Sequence, residues 1–97
     1  MVGGWKKIKD VKNNKEVQQL GKFSVEEYNQ RKVGGDAGGS IVFSEVVEAK
    51  RQVVSGLKYL LKVVVEENEI ADTFDAVVVV KPWMRSKELV AFAPSTK

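Results

Sequence analysis

The sequence predicts an α+β domain in which a single helix packs across a curved antiparallel β-sheet of four to five strands. One segment near the N-terminus has apolar residues at helical spacing, and three later segments are rich in β-branched residues with strand-like alternation. The helix and the sheet each have one apolar face, and packing them together buries both. We assign residues 1–97 to one domain, with residues 1–5 as a flexible arm.

The helix is predicted from about Asn14 to Lys32. One broad arc of it carries its apolar and small residues, which are Val17, Leu20, Gly21, Phe23, Ser24, Val25 and Tyr28. Glycine lowers helix stability by roughly 1 kcal/mol relative to alanine. Its place on the inner arc therefore predicts a close approach between helix and sheet. Glu27 and Arg31 are four residues apart and are expected to pair at the edge of the arc.

The strands follow a glycine-rich segment, residues 34–39, which ends the helix and predicts a surface loop. Long strands are predicted at about 41–53, 57–66 and 73–81, with a short last strand at 88–92. The second strand alternates most clearly, because Lys58 and Lys62 point away from its apolar face. Polar residues from Glu66 to about Asp72 predict a hairpin loop. Residues 5–11 are a candidate edge strand.

The composition excludes several functional classes. The chain has no cysteine and no histidine, so it cannot form disulfides, thiolate or histidine metal sites, or Ser-His-Asp and Cys-His catalytic groups. A carboxylate-only or lysine-based enzyme stays formally open, but few catalytic designs survive these two absences. We predict no metal, no cofactor and no enzyme activity. No apolar run reaches the ~18 residues that span a bilayer, which predicts no membrane partner. The compartment stays open between the cytoplasm and a mature secreted or vacuolar form, since no signal peptide is visible.

The net charge of +3 includes five lysines between Lys6 and Lys15. A solvated basic face explains them more simply than nucleic-acid binding does. Single-strand binders interleave aromatic side chains with their basic residues, and this segment does not. We predict no nucleic-acid partner and keep salt-dependent phosphate binding as the lowest-ranked alternative.

Two turns and the N-terminal arm are predicted to meet at one end of the sheet. The segment Gln52–Gly56 joins the first and second long strands, and Pro82-Trp83 follows the third. In an antiparallel meander these two turns lie at the same end. An arm containing Gly3-Gly4 and running beside the first strand would reach that end too. Three segments along one edge make a wedge that suits a long cleft.

These segments also resemble the cystatin family, and its plant members in particular. The helix decamer Leu20–Asn29 resembles the helix signature of plant cystatins, and Gln52-Val53-Val54-Ser55-Gly56 fits the family's Gln-x-Val-x-Gly loop. Pro82-Trp83 fits its second loop, and Gly3-Gly4 fits its N-terminal glycine pair. The resemblance implies a reversible, tight-binding, non-covalent inhibitor of papain-like cysteine endopeptidases.

The resemblance also implies which residues bind the protease. They are Val2, Gly3, Gly4, Gln52, Val53, Val54, Ser55, Gly56, Pro82 and Trp83. Val2 would fill an apolar subsite of the protease, although only Met1 precedes it and the arm is short. The first loop would sit against the catalytic centre without presenting a bond for cleavage. For Trp83 the alternative is a core position, and for Gln52–Gly56 it is a simple β-turn.

Two alternatives concern function and assembly. The same fold can serve as a non-inhibitory protein-binding module or scaffold. The chain is expected to be a monomer, with a domain-swapped dimer as the alternative state. Val53 and Val54 are β-branched residues beside a tight turn, and if that turn is strained, its opening into one long strand would exchange elements between two chains. Residues 77–80 are four consecutive valines with high β-propensity.

Overall fold

The computed structural model describes residues 4–31 and 41–95, and the predicted glycine-rich loop at 34–39 lies outside them. The described residues form one α-helix and one sheet of five strands in the order β1-β2-β3-β4-β5, with every neighbouring pair antiparallel. The predicted fold class is therefore confirmed. The elements are β1 (Lys6–Lys7), α1 (Lys15–Arg31), β2 (Val42–Val54), β3 (Gly56–Glu67), β4 (Ile70–Lys81) and β5 (Ser86–Pro94), with 3₁₀ turns at Val11–Asn13 and Pro82–Met84.

The helix lies against the sheet where Gly21 faces β2. A Cβ atom on Gly21 would overlap Cγ2 of Val46 and lie 2.9 Å from Cε1 of Phe43. The close approach predicted from this glycine is confirmed. Ser24, one turn later, is fully buried, and its hydroxyl donates a hydrogen bond to the Gly21 carbonyl at 2.6 Å. The predicted Glu27–Arg31 pair forms at 4.0 Å, in a partly exposed position that gives it little weight in stability.

The core lies between α1 and the inner face of the sheet. Alternate residues of β3 supply its centre, because Tyr59, Leu61, Val63 and Val65 are all at most 1% exposed. An aromatic cluster of Tyr28, Phe74 and Phe92 packs beside it, with ring centroids 4.6–6.0 Å apart. The remaining buried apolar residues are Val11, Val17, Leu20, Val25, Ile41, Val46, Ala49, Ala76, Val78 and Leu89.

Two side-chain amides tie the helix to β2 and its approach. Gln18 donates to the Val46 carbonyl at 3.1 Å and accepts from the Val46 amide at 3.0 Å. Asn29 does the same with Ile41, at 2.9 and 3.1 Å. Helical periodicity predicts both amides on the solvent side of α1. Each amide instead hydrogen-bonds both backbone groups of its partner residue, Val46 beside the irregularity in β2 and Ile41 just before that strand.

The hairpin between β3 and β4 is tighter than predicted. Glu67 pairs with Ile70, so Asn68 and Glu69 alone form the connection, with φ values of 53° and 67°. Two consecutive left-handed residues are the geometry of a type I′ turn, which matches the twist of the flanking strands. The predicted loop reaching Asp72 is therefore wrong, since Asp72 lies inside β4. The predicted N-terminal edge strand is also shorter, because the left-handed Asp10 leads the chain into a 3₁₀ turn.

Candidate functional site

The turn between β2 and β3 is very tight. Val54 pairs with Gly56, which leaves Ser55 as the single residue between paired positions. Gly56 has a φ of 117°, a conformation that residues with a side chain rarely adopt. Val53 is 59% exposed and Val54 39% exposed, so the turn presents apolar surface to solvent. The segment Gln52–Gly56 can therefore be a tight turn and a binding surface at the same time.

A second turn follows β4. Pro82 starts the 3₁₀ turn Pro82–Met84, and left-handed Arg85 closes it by donating its amide to the Pro82 carbonyl at 3.1 Å. Proline suits the first position because its fixed φ is helical and its missing N–H is not needed there. Trp83 is 64% exposed, so the alternative of a core tryptophan is excluded. Met84 is 61% exposed beside it.

The two turns touch each other. A Cβ atom on Gly56 would lie 3.4 Å from Cη2 of Trp83 and 2.8 Å from the carbonyl oxygen of Val80. The backbone of the first turn thus runs directly beside the indole of the second. Any larger residue at position 56 would collide with β4 or displace the indole, so this glycine allows the two turns to form one continuous edge.

The N-terminal segment approaches the same edge. Lys6 pairs with Arg51 near the end of β2, so Gly4 and Trp5 continue toward the first turn. Lys58, on β3, places its ammonium 5.9 Å from the centre of the Trp5 ring. Gly4 has open space around its Cα on the side where a Cβ would stand. We call these three elements, namely Gly4-Trp5, the β2–β3 turn and the Pro82–Met84 turn, the loop end.

The structure therefore brings together eight of the ten predicted site residues, namely Gly4, Gln52, Val53, Val54, Ser55, Gly56, Pro82 and Trp83. Val2 and Gly3 lie outside the described residues. Met84 and Trp5 are also exposed at the loop end, and neither is among the predicted site residues. The exposure of Met84 could have been predicted from its position directly after Trp83, since a turn of three residues buries neither side chain.

The loop end offers contact surface made largely of exposed apolar side chains. Within residues 4–31 and 41–95, no group of three or more His, Cys, Asp or Glu side chains is placed to hold a metal. No helix in the same ranges is long and apolar enough to cross a membrane. This edge offers apolar side chains for burial, with backbone and polar side-chain groups for hydrogen bonding.

Comparison with known proteins identifies the family. A family model described as aspartic acid proteinase inhibitor matches residues 8–95. The chain is 50% identical over 102 residues to cysteine proteinase inhibitor 4 of Oryza sativa subsp. japonica, covering 97% of this chain and 65% of that protein. It is 45% identical over 111 residues to cysteine proteinase inhibitor 10 of Oryza sativa subsp. indica, covering 99% of this chain and 74% of the relative.

A solved structure shares the fold. Dimeric human cystatin F superposes with a TM-score of 0.76 at 23% identity, covering 98% of this chain and 88% of that one, which is a likeness of fold. The chain belongs to the cystatin family, among the plant cysteine proteinase inhibitors known as phytocystatins. These relatives are named as inhibitors and not as enzymes. The chain spans about two thirds of the length of the first rice relative.

Proposed function

We propose that this protein is a reversible, tight-binding, non-covalent inhibitor of papain-like cysteine endopeptidases. The loop end would fill the protease cleft as a wedge made of the N-terminal arm, the β2–β3 turn and the Pro82-Trp83 turn. The observation that carries the proposal is the exposed Trp83 indole lying beside the backbone of Gly56. Two separate turns thereby form one edge, and the relatives' names supply the class of protease.

The shape of the first turn explains how such an edge can block a cleft. Ser55 and Gly56 are small, so protease groups can approach the backbone closely. Val53 and Val54, which directly precede Ser55, would add dry contacts with the cleft. The turn is held by strand pairing on both sides, so it loses little conformational entropy on binding. No covalent bond to the thiol is needed, since occupation of the cleft excludes substrate.

The arm completes the wedge in this proposal. Val2 and Gly3 precede Gly4, and an apolar side chain at position 2 would enter a neighbouring subsite. A protease–inhibitor interface of standard size buries about 800 Å² on each partner. The three elements would share that area, with Trp83 as its largest single contact.

Titration of papain against a fluorogenic peptide substrate tests the proposal. We expect stoichiometric, reversible inhibition at low concentrations of this protein, with full recovery of papain activity on dilution. A protein that leaves papain active at micromolar concentration contradicts it. Recovery of intact inhibitor, checked by mass spectrometry after long incubation, separates inhibition from slow cleavage of a substrate.

A second candidate function is inhibition of aspartic proteinases, which the description of the matching family model favours. A parallel titration against pepsin distinguishes the two. Inhibition of pepsin with papain unaffected reverses the assignment of protease class. Binding to either enzyme without loss of its activity instead favours a non-inhibitory binding module on the same fold.

A further inference from the structure

The charges of the sheet are divided along its length. The row Ala49–Leu61–Ala76–Phe92 crosses the middle of the sheet, since these residues are successive strand partners. We call the part toward the loop end, with β1 and both turns, the loop half. The part toward the Asn68-Glu69 turn is the hairpin half.

The two halves have opposite charge. The loop half holds eight basic side chains and one carboxylate, Glu88; the basic residues are Lys6, Lys7, Lys50, Arg51, Lys58, Lys81, Arg85 and Lys87. The hairpin half holds one lysine, Lys62, and seven carboxylates, which are Glu45, Glu48, Glu66, Glu67, Glu69, Asp72 and Asp75. The net charge of +3 for the whole chain conceals this separation over a molecule 45 Å long.

Among residues 4–31 and 41–95, none of the basic side chains of the loop half forms an ion pair within 4.0 Å. Two ion pairs within 4.0 Å occur in the described part of the chain, Arg31–Glu27 and Lys62–Glu48, and neither includes any of the eight. The second of these pairs neutralises the only lysine of the hairpin half. The segment from Lys9 to Glu16 adds three lysines and two carboxylates beside β1, which leaves the sign unchanged.

Four of the basic residues face each other in pairs between β1 and β2, which lowers the stability of this strand pair. Lys6 lies directly opposite Arg51, and Lys7 directly opposite Lys50. Like charges in facing positions of an antiparallel pair are destabilising. All four side chains are exposed and contribute nothing to the core. Their arrangement is explained if the charge serves contact with a partner.

The basic residues also surround the loop end. Lys6 and Lys7 follow Gly4-Trp5 directly, and Lys58 lies against the Trp5 ring. Lys81 places its Cγ 3.6 Å from where a Cβ of Gly56 would stand, and Arg85 closes the turn that carries Trp83. At physiological salt the Debye length is about 8 Å, so charges this close to an interface act on the partner's rim.

We infer that the loop end is built for cysteine proteases whose active-site cleft is rimmed by carboxylates, and that the eight basic side chains of the loop half accelerate docking to them. This inference rests on the proposed function and adds the class of target. Attraction between opposite surfaces raises association rates by about 10- to 1,000-fold at low salt and fixes the orientation of approach. The acidic hairpin half would turn away from the same cleft.

Association kinetics with two papain-like proteases of known structure test it, one with an excess of carboxylates around its cleft and one with an excess of basic groups. We expect faster association with the acid-rimmed enzyme at low ionic strength, falling about tenfold or more as salt is raised to 0.5 M. The variant K6Q/K7Q/K50Q/R51Q should lose most of that advantage. It should also unfold at an equal or higher temperature, because it relieves two repulsive pairs.

The matched control removes four charges from the other end. The variant E66Q/E67Q/E69Q/D72N changes four exposed residues of the hairpin half, and its association rate should stay equal to that of the parent protein or rise. Equal, salt-independent rates with both proteases, while inhibition persists, overturn the inference and leave the proposed function standing. Inhibition of neither protease overturns the proposed function itself.

Two other partners of a basic surface are covered by the same variants. Retention of a duplex DNA oligonucleotide at 0.15 M salt, lost in K6Q/K7Q/K50Q/R51Q, would assign the surface to nucleic acid and overturn the inference. Light scattering at low salt detects the remaining partner, a second copy bound head to tail. A dimer abolished by either quadruple variant would show that the two halves bind each other, and would also overturn it.

Discussion

Replacement of Trp83 by alanine separates binding from folding. The indole is 64% exposed in the free protein. Full burial in a protease would therefore remove about two thirds of the 150–250 Å² of a typical aromatic side chain, or about 100–160 Å². At roughly 25 cal/mol per Å² this corresponds to about 2.4–4 kcal/mol. We expect Trp83→Ala to raise the inhibition constant for papain by about 50- to 700-fold.

The stability of the fold should change little, because an indole so exposed contributes little to the core. Ile70 offers a matched control, since it is a large apolar side chain 70% exposed at the opposite end of the sheet. Ile70→Ala should leave the inhibition constant unchanged. Progress curves give the inhibition constants, and thermal unfolding reports the stability of both variants. A change below threefold in Trp83→Ala, with stability intact, refutes the role given to this indole.

The remaining predictions concern the fold and the first turn. Gly21→Ala should destabilise the protein by about 1–3 kcal/mol in denaturant unfolding, because the added methyl overlaps Val46 and the overlap outweighs the gain in helix propensity. Asn29→Ala should cost about 1–3 kcal/mol in the same assay, since it leaves the amide and carbonyl of Ile41 without their partners, while inhibition by the folded protein is retained. Gly56→Ala should both weaken inhibition and lower the unfolding temperature, since its φ of 117° disfavours a side chain; an unchanged inhibition constant would contradict this. Light scattering should find a monomer at micromolar concentration, and any dimer formed on heating by opening the β2–β3 turn should fail to inhibit papain.

Periodicity in the sequence predicted the elements of the fold because each one has a strong local pattern. The alternation around Tyr59 in β3 and the apolar arc around Leu20 in α1 both reflect a single buried face. The roles of polar residues at the border of the buried helix face were harder to predict. Gln18 and Asn29 are polar and sit beside the buried arc, so their sequence pattern is that of solvent-facing residues. Their role depends on where β2 and the segment before it come to lie, which is information from distant parts of the chain.

The prediction of a long loop after β3 was wrong for a different reason. A run of polar residues is typical of a loop, yet polar side chains are equally acceptable on an exposed strand. Asn68 has a known tendency toward left-handed conformations, but Glu69 does not, so the two-residue turn had only half of its usual signature. Register between Glu67 and Ile70 then decided the length of the connection.

At the candidate site, meander topology alone predicted that both turns lie at one end. The contact between Gly56 and Trp83 could not be predicted that way, because it depends on how the Pro82–Met84 turn folds back over β4. The charge separation was hidden for the same reason. Along the chain the basic and acidic residues alternate in short groups, and only strand register sorts them into opposite halves.

The arrangement also explains how an exposed apolar edge remains rigid. Gly56 follows Ser55 directly and already pairs with Val54, so the strand ladder continues to within one residue of the tip. Its other side is fixed by β4, since Leu57 pairs with Val80. The core that anchors these strands lies beneath α1. The helix contacts β2 and the segment before it at Phe43, Val46 and Ile41, and it also reaches β5, where Arg31 donates to the Leu89 carbonyl at 3.0 Å. Substitutions of the exposed turn side chains, such as Val53 and Trp83, should therefore change contact with a protease without loosening the core, whereas Gly56 is constrained by its backbone conformation.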